Sequence, residues 1–361
     1  MFRSKWWRFV PFLPLVVLLC AVNVFGDAGN RFHSAVDSIA ETLINGHPAY
    51  VASGNLRERE LRYRYICRMH DDTECVIFGG SNVICISSFD VGEVKFVNLG
   101  VSRGRIDDCL AQLGIMRFLG KDKHIRRIIF GPQELYFNRK VFEVPNPVFN
   151  KEALKPYMDY MLSIIRGEET DENIPEPNFN ENILFMSSTA LSLSYFQANI
   201  NYIVSSGMLT FSKSGLASDG SYYMPDGSLL YWRLFLNNNE DDIVRKADNM
   251  SVNQYSGHID YENWNIFVNL IEYLIARGVT VELYLRPLAP ALWDKIYPDK
   301  CPFLIELEDS LVKLAGKYSL RVIGSYNPYK VGITNADYYD PTHVRREATS
   351  KYFNLKPVVN D

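Results

Sequence analysis

Cys75-Val76-Ile77-Phe78-Gly79-Gly80-Ser81-Asn82-Val83 is the stretch from which the fold can be read. Four residues of strand-forming type run without a polar break, as in a strand buried on both faces, and a Gly-x-Ser turn follows at once. Similar runs recur at Val94–Leu99, Arg127–Phe130, Val279–Leu285 and Leu320–Gly324, each short and rich in Val, Ile or Phe. Helical patterns separate them. Ile106 to Leu113 is apolar at helical spacing. Trp264 to Ile275 places Trp264, Phe267, Val268, Ile271 and Leu274 on one face, and Leu304 to Leu314 repeats the pattern with Leu304, Leu307, Leu311 and Leu314. Strands that alternate with amphipathic helices predict a doubly wound α/β sheet with parallel strands.

In such sheets ligands sit beyond the carboxyl ends of the strands. The polar residues of interest fall there. Ser81 follows the first strand, Asn98-Leu99-Gly100 closes the second, Gly131-Pro132-Gln133-Glu134 follows the third, and Arg286-Pro287 follows the fourth. A long loop after the fifth carries Tyr339-Asp340-Pro341-Thr342-His343. A serine on a tight strand-to-helix turn, joined by an Asp/His pair, is the minimum set for nucleophilic acyl chemistry. The histidine takes the serine proton, and the carboxylate fixes its tautomer and stabilises the imidazolium. A blander reading makes Asp340 the cap of a helix from Val344 to Phe353. Chain order and strand-end placement together favour Ser81, His343 and Asp340 as a catalytic set.

Between the third and fourth strands lie about 120 residues, from about Val141 to Asp260. A parallel crossover needs only a dozen or so. The excess is therefore a large insertion that adds a layer or cap. It opens with a helix from Lys151 to Arg166, passes through an acidic, Pro- and Asn-rich stretch (Gly167 to Asn182), and continues with a helical run from Met186. It then reaches Ser221-Tyr222-Tyr223-Met224-Pro225-Asp226-Gly227-Ser228, where Pro-Asp-Gly signals a hairpin turn. The insertion is the segment large enough to wall the strand-end shelf. Tyr222, Tyr223 and Trp232 are its first candidates for stacking on sugar rings, with core packing the competing and safer reading.

The remaining composition bounds the setting. A net charge of -4 over 361 residues leaves no basic footprint for nucleic acid. Arg3, Lys5 and Arg8 precede an uncharged run from Phe9 to Gly26. Residues 1–26 read either as a cleaved signal peptide or as one N-terminal transmembrane anchor, and both export the rest of the chain. Residues 27–74 form a helical lead-in and 75–361 the main domain. Of the six cysteines, Cys67 and Cys75 flank a polar turn and could pair, while the bland reading makes most of them small core residues. No Cys-x-x-Cys or Cys/His spacing suggests zinc, and neither metal nor cofactor is expected. Asn98 and Ser102 read as helix caps rather than lining of the site mouth. Arg286 reads as a partner in an ion pair near a strand end, with binding of an anionic substrate group as the alternative.

The order Gly-x-Ser, Asn-Leu-Gly, Gly-x-polar and Asp-x-x-His resembles the SGNH/GDSL hydrolase superfamily. That resemblance covers roughly Cys75 to Phe137 and Tyr261 to Phe353. It implies a flavodoxin-like three-layer α/β/α sandwich, with Ser81 as nucleophile, His343 as base and Asp340 as its orienting carboxylate. It further implies an oxyanion hole from the N–H groups of Ser81 and Gly100 with a side-chain amide from the third block. This chain departs there: Gly131-Pro132-Gln133 offers Gln133 where the family usually has Asn. The stretch from Asn45-Gly46-His47 to Arg57-Glu58-Arg59, and Gly324-Ser325-Tyr326-Asn327-Pro328, look like an exported bacterial subgroup similar to polysaccharide O-acetylation proteins. The resemblance implies an esterase or O-acyltransferase in the periplasm or at the cell surface. Its partners would be an O-acylated glycan or cell-surface polysaccharide and a membrane-bound O-acyltransferase. The second expectation is a weakly active or inactive carbohydrate-binding or assembly subunit of a polysaccharide modification complex.

Overall fold

The structure, a computed structural model, describes residues 10–26, 36–51, 57–138, 151–170, 173–179, 183–206, 221–230 and 237–353. In chain order its strands are β1 (Ala49–Val51), β2 (Cys75–Gly79), β3 (Phe96–Asn98), β4 (Arg127–Gly131), β5 (Ser221–Tyr223), β6 (Leu229–Leu230), β7 (Thr280–Leu285), β8 (Arg321–Gly324), β9 (Tyr338–Asp340) and β10 (His343–Val344). The central sheet runs β3-β2-β4-β7-β8, and every pairing in it is parallel. Numbered among themselves, the five strands have the order 2-1-3-4-5 of flavodoxin-like sheets. All five strand signals read from the sequence lie in this sheet. The chain is a flavodoxin-like α/β/α sandwich with a large insertion between its third and fourth sheet strands.

Why these segments form central strands is plain from their burial. All five residues of β2 are buried. Val76, Phe78, Ile128, Phe130, Val281 and Leu283 face one core, with residues of the helices Ile106–Phe118 and Tyr261–Ala276. Cys75, Ile77, Ile129, Tyr284 and Ile323 face the other, with Val91, Ala348 and Phe353. Alternation along each strand thus feeds two apolar layers at once, and so a near-continuous apolar run is required. Phe130 stacks on Phe78 at 5.8 Å and meets Phe267 edge-on at 5.4 Å, which joins sheet to helix.

The lead-in is built into this core. Val36, Leu43, Leu61 and Ile66 belong to the same apolar cluster as Phe78 and Phe130. The insertion contributes a hairpin, β5-β6, that pairs through β5 with β1 to form a small antiparallel sheet. All six cysteines are free thiols, so Cys67 and Cys75 are not bridged.

Near the amino terminus a helix spans Leu13–Gly26. It packs on two insertion helices, Ile183–Ala190 and Leu193–Ser206. The buried Asn23 amide ties them together, donating to the carbonyls of Thr189, Ala190 and Ser192 and accepting from Asn199. Among the described residues no helix is long and apolar enough to cross a membrane.

Candidate active site

The site is assembled where the strands end. Parallel pairing puts Phe78 level with Phe130 and Phe130 level with Leu283. Three residues on from each come Ser81, Gln133 and Arg286. Three chain segments that are remote in sequence therefore deliver a hydroxyl, an amide and a guanidinium to one end of one sheet.

The turn that carries Ser81 is held from below. Asn82 accepts the Gly80 N–H at 2.9 Å and donates to the Gly131 carbonyl at 3.1 Å, so it bridges the ends of β2 and β4. Asn98, with no exposed surface, accepts the Gly100 N–H at 2.8 Å. Its amide donates to the carbonyls of Val83, Ile84 and Ile86. The sequence reading of Asn98 as a helix cap is therefore corrected: it is a clamp on the loop behind Ser81. Ser102 is not a helix cap either, since its N–H and hydroxyl both go to the Glu58 carboxylate.

Two oxyanion donors expected from the sequence are engaged within the protein. The Gly100 N–H points at Asn98, and the Gly100 carbonyl accepts two bonds from the fully buried Arg62. Gln133 is buried and donates through Nε2 to the Gly104 carbonyl at 3.1 Å. An amide nitrogen has two hydrogens, so one donor direction on Nε2 is not accounted for by that bond. Gln133 lies against Gly80: a Cβ built there would fall 1.9 Å from Nε2. Only glycine lets that amide come so close to the turn.

The Asp340–His343 pair is formed locally. His343 Nδ1 lies 2.8 Å from Asp340 Oδ2, while Asp340 Oδ1 accepts the N–H and hydroxyl of Thr342. Burial works to raise the Asp340 pKa, but the charge and hydrogen bond of His343, with the two bonds from Thr342, outweigh it and hold the carboxyl well below the usual range. An ionised carboxylate only accepts, so Nδ1 is the donor and Nε2 is the nitrogen left to exchange a proton with a substrate-side group. His343 Nε2 is withdrawn from solvent. The bonds of Asp340 go to Thr342 and His343, an arrangement for orienting the ring.

The two loops are fastened together. Arg346 donates to the Ser87 hydroxyl at 2.7 Å and pairs with the buried Asp90 at 3.7 Å, and the Cys85 thiol lies 4.0 Å from the Val344 carbonyl. The segment just after His343 is thus bound to the segment just after Ser81.

The insertion meets this region from two sides. Leu229 N–H donates to the Ile84 carbonyl, and Asp226 accepts the Ser88 N–H through its side chain and the Asn98 N–H through its backbone. On the other side Asn238 donates to the Tyr339 carbonyl and accepts from Arg345. Of the aromatic candidates, Tyr222 is half-buried in β5. Tyr223 is 2% exposed, stacked beneath Arg62 and bonded to Glu58, which makes it a core residue. Trp232 lies outside the described residues. The insertion aromatic that reaches the site's electrostatic neighbourhood is Tyr255. It is completely buried and close enough to Glu134, Arg286 and Asp340 for their charges to act on its hydroxyl. No periodic signal marked it.

The chain matches no protein-family model and no curated protein.

Proposed function

We propose that this protein is an exported serine acyl-enzyme that acts on O-acyl esters of cell-surface polysaccharide. The observation that carries the reading is the ionised Asp340 bonded to His343 Nδ1, in a loop fastened to the one that carries Ser81. Ser81 Oγ attacks the ester carbonyl while His343 Nε2 takes its proton, and Asp340 stabilises the imidazolium. The oxyanion of the tetrahedral intermediate receives the Ser81 N–H and the second hydrogen of Gln133 Nε2. Collapse expels the alcohol, which takes the proton back from His343 and leaves an acyl-serine. Water or a sugar hydroxyl then attacks as His343 accepts its proton; collapse breaks the acyl–Oγ bond, His343 returns the proton to Ser81 Oγ, and the acid or the acylated sugar leaves. Water gives an esterase; a sugar hydroxyl gives an O-acyltransferase. A membrane-bound O-acyltransferase would be the natural source of acyl groups in the second case.

Placement outside the cytoplasm is supported by the basic-then-apolar amino terminus. The Leu13–Gly26 helix leaves Leu13, Leu15, Val17 and Leu18 largely exposed. The helices packed on it, Ile183–Ala190 and Leu193–Ser206, contain no charged residue. An alkaline phosphatase fused after Asp361 should be active; an inactive fusion beside an active cytoplasmic reporter overturns export.

The second reading is a carbohydrate-binding or assembly subunit without turnover. It is favoured by the engagement of the Gly100 N–H and of Gln133 within the protein, since each lost oxyanion donor costs about 2.7–4 kcal/mol of transition-state stabilisation. A fluorophosphonate probe separates the two. Labelling that disappears in Ser81→Ala supports the enzyme; no labelling, with retained polysaccharide binding, supports the subunit.

A further inference from the structure

Arg286 follows β7 at the same level as Ser81 and Gln133. The sequence reading paired it with a carboxylate, and the structure does not. Arg286 is 5% exposed, its buried Nε lacks a hydrogen-bond partner, and its side chain forms no ion pair with any described residue. The carboxylates around the strand ends are committed elsewhere. Glu308 takes Ser325, the Tyr326 N–H and Lys330, and Asp340 takes His343 and Thr342. The hydroxyls of Tyr326 and Tyr338 donate to the carbonyls of Pro132 and Leu288. Burial pulls against the guanidinium charge, while the half-buried Glu134, followed by Tyr255, Tyr284 and Tyr338, favours it. Glu134 thus acts from a distance without closing an ion pair.

A guanidinium withdrawn from water and left without a counter-ion costs several kcal/mol, a cost that persists only where something offsets it. A planar fork of donors at a strand end beside a nucleophile is suited to an oxyanion. We propose that Arg286 binds a singly charged oxyanion, a carboxylate or a sulfate ester, on the glycan whose acyl ester is presented to Ser81. This inference rests on the acyl-enzyme reading for the role of Ser81, but the anion-binding half stands without it. The single charge follows from the surroundings. One guanidinium matches one negative charge, and Glu134, whose charge already acts on Arg286, penalises a second one on the ligand. Two strand spacings separate the end of β2 from that of β7, about 10 Å. One sugar residue with its ester at one end and its acid group at the other bridges such a gap.

The test uses the full chain and matched ligands. Turnover is measured on an O-acetylated methyl uronate and on its neutral methyl ester. The wild type should prefer the acid by about tenfold or more, as expected for a charged hydrogen bond. In Arg286→Gln the ratio of the two specificity constants should fall toward one, and in Arg286→Lys it should fall part of the way. Thermal denaturation of both variants checks that they fold. A ratio that stays at the wild-type value in a folded variant overturns the proposal, as does a wild type that does not discriminate.

Binding is measured separately by calorimetry on Ser81→Ala, with unacylated uronate, sulfated, phosphorylated and neutral oligosaccharides. Uronate or sulfated ligands should bind, with loss on adding Arg286→Gln. Equal or tighter binding of the phosphate dianion overturns the single-charge assignment, and equal binding of the neutral ligand overturns the site. Acid-selective binding without any ester turnover would uphold Arg286 and sink the acyl-enzyme reading. Turnover without acid selectivity would do the reverse.

Discussion

His343 Nδ1 donates to Asp340 Oδ2 at 2.8 Å, and both residues lie within one short antiparallel turn, with His343 opposite Asp340 in the β9-β10 register. The pair needs no distant element to form. What distant elements supply is its placement, through the bonds of Arg346 to Ser87 and of Asn238 to Tyr339.

The depressed pKa of Asp340 makes a pH prediction. A carboxyl whose folded-state pKa lies below its unfolded value of about 3.9 adds stability above that value and loses it as pH falls toward the folded one. Chemical denaturation at about pH 6 and about pH 3 should therefore show a larger acid loss in the wild type than in Asp340→Asn. An equal loss in both would mean that the pair contributes nothing to folding. The same variant should lower turnover of an aryl acetate by roughly 10³–10⁴-fold, because the asparagine amide no longer holds the required tautomer.

Asn98 should matter to the Ser81 loop although it touches no substrate. Asn98→Ala strands three carbonyls and the Gly100 N–H in a buried site. Each orphaned group costs about 1–3 kcal/mol, so a loss of at least about 2 kcal/mol in unfolding free energy is expected. Fluorophosphonate labelling of Ser81 should slow in parallel. A variant as stable as the wild type would show that the loop is held by other means.

Gly104 should tolerate no side chain. A Cβ there would meet the Gly79 carbonyl at 2.4 Å, and that atom belongs to the backbone of the strand end and cannot rotate away. Gly104→Ala should cost about 1–3 kcal/mol by overpacking and misplace the Ser81 turn. Thermal denaturation and probe labelling measured together would detect both effects. An unshifted midpoint would contradict the close approach.

Gln133 has a predicted double role. Gln133→Ala removes one oxyanion donor and the bond to Gly104, so ester turnover should fall by about 10²–10³-fold. Gln133→Glu keeps the size and removes the donor. It should lose activity to a similar degree, and an active Gln133→Glu would rule out donation from this side chain.

Much of this fold was legible in the chain, for a physical reason. A strand buried on both faces must be apolar along its length, so each of the five sheet strands announces itself within a few residues. The Asp340–His343 bond was legible because it is local, and the turn that carries Ser81 because a tight turn after a buried strand has few possible compositions. Tertiary structure alone decided the rest. The charged helix Glu58–Arg68 looks like a solvated surface by composition. Yet Arg59 pairs with the buried Asp108, Arg62 holds the carbonyls of Gly100 and Gly227, and Glu58 holds Ser102. Tyr223 turned inward, Tyr255 came to lie near the site, and Arg286 was left without an ion pair to any described residue. Each outcome depends on which groups meet across tens of residues of chain and up to 165. A hydrogen-bonding side chain carries no mark of its partner until the fold brings the two together.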